Sequence, residues 1–383
     1  MVRNRVLFVL VLAGLIAGAT LAFLTVAPNR LVSGAPIGLG AVLHGWAFIL
    51  PALGTVLGLG ALLPPGPRLH ALTAVAAAGF LLLLVRLAGS EAALLAAGAP
   101  AAARVSLGGG FWVLIFAAAL ALDDALRRLA LPASARLLLG VVMIGAVGVL
   151  LVSGALDALA VLREYASRRA IFAGAVLRHV AIVALALLPT VLVGVPLGVL
   201  ARRRAGIAAW LFPLLNIVQT IPSIALFGLL LAPLSALASL YPGLARLGLG
   251  GIGVLPAVIA LVLYALLPVS RNTAEGLAAV PRAALEAGQG LGMTLAQLFW
   301  RVELPLALPV ILSGLRVATL QAIGLAAVAA LIGAGGLGAI MFQGLFADAL
   351  DLVLLGVVPI IALALVANAL FDVGIARLIR VPP

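Results

Sequence analysis

Residues 271–305 read RNTAEGLAAVPRAALEAGQGLGMTLAQLFWRVELP. This polar stretch sits between two apolar runs, 253–270 and 306–332. Its local signals are those of a helix–turn–helix. Pro281 suits a first helical turn, and Gly288, Gly290 and Gly292 can end a helix. Thr294 then opens a second helix, with Gln297 three residues on as a capping box. Pro305 and Pro309 are expected to bend the return into the apolar run. A short helix lying crosswise between two membrane spans is unusual in a plain connector and suits docking of a soluble partner. An ordinary amphipathic loop is the competing reading, and these residues alone leave the two even.

The rest of the chain explains why the flanking runs read as spans. Of its 383 residues, 66% are hydrophobic and only 9% charged. Soluble domains are roughly 45–50% apolar and about 25% charged, so this chain has too few polar groups to cover a wet surface. Disorder is excluded for the same reason. The expected class is an all-α polytopic transmembrane helical bundle. A span needs about 20 mostly apolar residues. Ten candidate runs meet or approach this, near 6–27, 39–62, 69–88, 106–122, 134–155, 180–201, 210–232, 253–270, 306–332 and 351–371. The first could be a signal peptide, but it is long for one and is read as a retained span.

Every one of the 23 basic residues is Arg, against 11 acids. In a soluble protein that excess would point to nucleic acid; in a membrane protein it sets orientation, and no nucleic-acid partner is expected. With the N-terminus inside, fourteen arginines, including Arg30's counterparts Arg3 and Arg5 at the start and Arg377 and Arg380 at the end, fall on inner segments. Eight, among them Arg30, fall outside, and Arg316 lies within a span. Both termini are therefore expected in the cytoplasm, and 271–305 becomes the longest polar excursion on the inner side. Four outer arginines cluster in 157–179, which reads as a surface helix at the membrane face. A boundary follows there: 1–155, with five spans and plain loops, and 156–383, with five spans and nearly all the unusual sequence.

At 286–305 the resemblance to a known family becomes specific. Permease subunits of ATP-binding-cassette importers carry a coupling loop of Glu-Ala-Ala, three residues, Gly, nine residues, Ile, any residue, Leu-Pro. This chain has Glu286-Ala287-Gly288, Gly292, Val302, Glu303 and Leu304-Pro305 at the same spacing. Gly288 and Val302 are the two departures. The segment Asn216-Ile217-Val218-Gln219-Thr220-Ile221-Pro222-Ser223 resembles the glycine betaine, carnitine and choline permeases. So do Ala265-Leu266-Leu267-Pro268 with Arg271-Asn272-Thr273, and the glycine-rich 331–338. The length is similar to the longer Yeh-type osmoprotectant permeases.

The resemblance implies an import complex in the cytoplasmic (inner) membrane. It comprises two permeases (two copies or a copy and a paralogue), two ATP-binding-cassette subunits and an external substrate-binding protein. It implies that Glu286 contacts the ATPase, that Ala287 and Gly288 permit close approach, and that Gly292, Leu304 and Pro305 complete the coupling loop. No cofactor is expected on this chain, since ATP would be bound by the partner. The Walker pattern needs a Lys, and the chain has none.

Intramembrane polar residues are the default candidates for a path. Asn216, Gln219, Thr220 and Ser223 are spaced three and four apart, as on one helical face, with Pro213 and Pro222 expected to break that helix. Gln321 belongs with them. Interhelical hydrogen bonding is the competing reading for all five. Arg316 is expected near the inner face, with Glu303 as a partner. The glycines of 333–338 suit close helix packing or a hinge. Catalytic residues and a metal site are not expected: Asp123-Asp124 reads as a solvated helix end, and the chain has no Cys. Aromatics are 5%, few for holding a quaternary ammonium by cation–π contact, which suits a permease that passes its solute on without tight binding. A secondary transporter would need a buried carboxylate for its coupling ion, and acids are scarce in the spans. An importer for another small solute, such as an amino acid, is the nearer rival.

Overall fold

The computed structural model describes residues 2–29, 32, 34–100, 102–246 and 248–379. Arg30 and Arg380, both used above for orientation, lie outside them. The chain divides into two compact units, Met1–Ser167 and Arg168–Pro383. Among the described residues, nine helices are long and apolar enough to cross a membrane. The expected polytopic helical bundle is what the chain forms.

The first unit contains α1 (Arg5–Thr20), β1 (Ala22–Ala27), β2 (Ala35–Gly38), α2 (Leu39–Val42), α3 (Ile49–Leu62), α4 (Pro67–Ala97), β3 (Arg104–Leu107), α5 (Gly109–Arg128), α6 (Ala133–Val152) and α7 (Ala160–Ser167). Asn4 caps α1, its side-chain oxygen accepting from the Leu7 amide at 3.2 Å. The first expected span, 6–27, is corrected here. The helix is only 16 residues long, and 22–27 turns into a strand. That strand is the centre of a three-stranded antiparallel sheet of order β2-β1-β3. Gly108 allows the tight entry into α5, because a Cβ there would lie 2.2 Å from the Ala22 carbonyl oxygen. Phe23, Leu24, Leu84, Leu87 and Phe111 form the core beneath the sheet. In contrast, none of the span window of α6 is buried; such a helix is stable in hydrocarbon and not in water.

The second unit contains α8 (Arg169–Arg203), α9 (Ala205–Thr220), α10 (Ser223–Leu240), α11 (Pro242–Arg246), α12 (Val254–Ala278), α13 (Arg282–Gly290), α14 (Leu295–Leu298), α15 (Leu304–Val328), α16 (Leu337–Phe346) and α17 (Leu350–Ile379). Two expectations are corrected. The stretch 157–179 is not one surface helix: α7 takes eight residues of it, and 169–179 are the first turns of the 35-residue α8. The single expected span 210–232 is two helices, α9 and α10, parted at Ile221-Pro222. Between the last two expected spans stands the short helix α16, with an N-cap glycine of positive φ, Gly336.

Helix α12 is the axis of this unit, with 61% of its span window buried. It packs between α8 and α15. Both contacts are made through glycines. A Cβ on Gly198 would sit 2.5 Å from the Ser270 carbonyl oxygen, and one on Gly314 would sit 2.6 Å from that of Pro268. Small residues bring helix backbones together where dispersion, rather than water exclusion, drives association.

Candidate functional site: a broken span and a helical hairpin

The break between α9 and α10 is built first from Pro222. It has no N–H to continue the ladder, and α10 restarts at Ser223 with Pro222 as its N-cap. Pro213, by contrast, lies inside α9 without ending it, so only one of the two prolines expected to break the helix does so. The interruption is braced by Tyr264 of α12, which the sequence reading did not single out. The Tyr264 hydroxyl donates to the Ile221 carbonyl oxygen. Gln219 Nε2 donates to the Tyr264 carbonyl oxygen at 2.6 Å. A signal was available: a tyrosine mid-span needs a partner for its hydroxyl.

The five polar path candidates separate. Gln219 is committed to the brace, and Thr220 bonds back to the Ile217 carbonyl at 2.7 Å. Ser223 lies across the break on α10, so the four do not share one helical face. Asn216, Ser223 and Gln321 are half-buried and have no hydrogen-bond partner among the described residues. The elements that carry them meet in one core, where Val218 and Ile221 pack with Leu226, Tyr264, Ala322 and Ile323. Half-buried polar groups left unpaired by the protein are the ones available to a solute or to water.

Arg316 bonds Asp372 of α17 at 2.6 Å, and Asn368 Nδ2 donates to the same carboxylate at 3.2 Å. Glu303, the expected partner, does not take it. The glycine-rich 333–338 is a close-packing element. Gly333, Gly335 and Gly336 have positive φ. The segment is pinned by Arg178, whose Nε donates to the Ala334 carbonyl at 3.1 Å. The buried His179 lies directly beneath Gly336.

The hairpin begins later than 271, because α12 runs on through Arg271, Asn272 and Thr273 to Ala278. Pro281 is the N-cap of α13. Leu285 turns inward onto Leu277, Val280, Ala307 and Ile311. Glu286 and Ala287 face outward, exposed. Gly288 is buried; a Cβ there would lie 2.6 Å from Leu298 Cδ1. Its smallness therefore lets the two arms of the hairpin close on each other, whereas close approach of a partner was expected. The helix ends in a Schellman motif: the Gly292 amide bonds the Gln289 carbonyl at 2.8 Å, and Met293 bonds Gly288 at 3.1 Å. That motif needs a left-handed residue, and Gly292 has φ +78°. The capping box is present in full, Gln297 N to Thr294 Oγ1 at 3.3 Å and Thr294 N to Gln297 Oε1 at 2.9 Å.

The return is helical without interruption from Leu295 to Ile332. It contains a π-helical turn at Phe299–Glu303, immediately before Leu304 and Pro305 at the start of α15. Pro305 has no N–H for the Arg301 carbonyl, which suits a wider turn there. Arg203 at the end of α8 lies over the Phe299 ring at 5.2 Å. Leu291 and Leu295, each 79% exposed, form an uncovered apolar tip.

A bundle of long apolar helices, with one span broken and braced and a capped hairpin between two others, suits a membrane transport component. Residues 191–380 match the family described as "Binding-protein-dependent transport system inner membrane component". Residues 3–162 match "ABC transporter permease YehY, N-terminal domain". The chain is 42% identical over 191 residues to the osmoprotectant import permease protein OsmW of Salmonella typhimurium (strain LT2), covering 50% of this chain and 84% of that protein. It is 40% identical to the choline transport system permease protein OpuBB of Bacillus subtilis (strain 168), over 52% of this chain and 85% of that one. It is 36% identical to the glycine betaine/carnitine/choline transport system permease protein OpuCD of the same organism, over 50% and 77%. The chain belongs to the family of binding-protein-dependent transport permeases: it is a multi-pass membrane subunit of an ATP-binding-cassette importer, and not the ATPase itself.

Proposed function

We propose that this permease passes osmoprotectant-type quaternary ammonium solutes, glycine betaine or choline-like, across the cytoplasmic membrane. An external binding protein hands them over, and ATP-binding-cassette subunits drive the step. The observation that carries the substrate class is the 42% identity to an osmoprotectant import permease over 191 residues. Both termini lie in the cytoplasm in this reading, which rests on the arginine asymmetry. ATP is held by the partner subunits, and the complex contains a second permease, a copy or a paralogue.

Coupling runs through the hairpin. Exposed Glu286 and Ala287, with the uncovered tip of Leu291 and Leu295, form the face presented to the ATPase. A rigid capped hairpin seated in a groove transmits domain motion as a body. Asn216, Ser223 and Gln321 line the path, while Gln219 and Thr220 hold the shape of the break beside it. Low affinity of the isolated permease for solute accords with the scarcity of aromatic faces.

The test is ATP-driven uptake of labelled glycine betaine in proteoliposomes holding the chain with its ATPase and binding protein, beside a Glu286→Arg variant. Uptake that requires ATP and is lost in the variant, with weaker complex assembly, is the expected result. An intact complex that imports another small solute, such as an amino acid, and no betaine would replace the substrate class. Failure of any ATPase to assemble with the chain would overturn the importer reading in favour of a stand-alone transporter.

A further inference from the structure

The first unit contains a cavity of about 650 Å³ between α1, α3 and α5. Its walls are glycine-rich: Gly14 and Gly18 on α1 and Gly54 and Gly58 on α3, with Phe80 and Ala118 deeper in. Thr55 is the one polar residue on the lining, and its hydroxyl already bonds the Pro51 carbonyl at 2.9 Å. The cavity therefore offers little hydrogen bonding to water or to a polar solute. A dry apolar void forfeits dispersion contacts along its whole lining, so an apolar occupant is favoured.

Three features identify that occupant. The lining runs along α3 from Leu50 to Leu62, about 18 Å of helix. Half of a hydrocarbon core of about 30 Å is the reach of one acyl chain, so the groove is one chain long. The groove lies in a chain of membrane spans, where the surrounding medium is lipid. Finally, one end of it carries unpaired positive charge. The Arg3 amide bonds the Ala61 carbonyl at 3.0 Å, which places Arg3 and Arg5 at the Leu62 end. Arg68 opens α4 just beyond that end. All three are exposed, and none has an acidic partner among the described residues. The neighbouring acids are already engaged: Asp124 accepts from Asn4 at 2.7 Å and pairs with Arg128 at 2.9 Å, and Asp123 pairs with Arg127 at 2.7 Å.

We propose that this groove is a binding site for one acyl chain of an anionic phospholipid, whose phosphate is held by Arg3, Arg5 and Arg68. The apolar wall selects the chain, and the arginines select the headgroup charge. The site does not depend on the solute that the permease carries.

The experiment titrates the purified, delipidated full-length chain in detergent with dioleoylphosphatidylglycerol or dioleoylphosphatidylcholine and counts bound lipid by native mass spectrometry. One phosphatidylglycerol per chain is expected, bound in preference to phosphatidylcholine. Gly54→Leu projects into the groove, where a Cβ at Gly54 meets nothing within 4 Å, and it should abolish the tightly bound lipid. Each of Arg3→Gln, Arg5→Gln and Arg68→Gln should weaken phosphatidylglycerol about fivefold and phosphatidylcholine, whose choline offsets its phosphate charge, by less. Equal phosphatidylglycerol binding by wild type and Gly54→Leu would overturn the site. Equal binding of the two lipids would overturn the role of the arginines. A fall in oligomer size with Gly54→Leu, at unchanged lipid count, would assign the groove to a helix of a second copy. Should Gly54→Leu misfold, Gly14→Leu and the arginine variants carry the same test.

Discussion

Two interruptions of helix in the second unit are held in opposite ways. The α13–α14 turn is secured by its own neighbours in sequence: Gly292 at φ +78°, the Schellman bonds to Gln289 and Gly288, and the Thr294–Gln297 box all lie within ten residues. The α9–α10 break is secured from outside, by Tyr264, more than forty residues away. Local bonds make a rigid piece that keeps its shape when moved. A remote brace makes a shape that depends on where its neighbour stands. The first suits a part that is pushed, the second a part that responds.

The comparison can be broken most severely at Gly288. Gly288→Leu overfills the hairpin core against Leu298, and overpacking costs about 1–3 kcal/mol. Faster hydrogen exchange across 282–298 is expected, with the α9–α10 break unaffected; exchange that changed at both places would deny that the hairpin is a separate piece. Gly292→Val places a β-branched residue in the left-handed region, at about 1–2 kcal/mol. Uptake should fall roughly tenfold while ATPase assembly persists, as checked by transport and pull-down side by side. Tyr264→Phe removes one hydroxyl bond, worth about 1 kcal/mol. The expected loss is a few degrees of thermal stability in detergent, with faster exchange at 217–226 alone. An unchanged break would show that Pro222 is sufficient without the brace. Thr294→Ala should be mildest, about 1 kcal/mol or less, fraying α14 without loss of uptake.

The same contrast explains what was legible in the sequence. The turn of the hairpin was readable, including Gly292 and the Thr294–Gln297 box, because its determinants are local, whereas its start was placed too early, at 271 instead of after Ala278. The long apolar runs were readable because hydrophobicity over about 20 residues is a local sum. The Tyr264 brace and the Arg316–Asp372 pair were not, since each joins residues distant in the chain; Glu303 was simply the nearer acid. The strand at 22–27 was missed because AFLTVA is as apolar as the helix before it, and only pairing with 35–38 and 104–107 separates them. Gly288 was recognised as a place of close approach, but the neighbour it admits is Leu298 of its own hairpin.

Tyr264 and the hairpin lie on one continuous helix, with Pro268 between them. Helix α12 runs unbroken from Val254 to Ala278, where the hairpin starts, so Tyr264 stands about 21 Å along it from that end. A tilt of roughly 10° pivoting at Ala278 would swing Tyr264 by about 4 Å, well beyond the tolerance of a hydrogen bond. The tyrosine would then act as a latch worked from the hairpin end of the helix, held at one tilt and released at another.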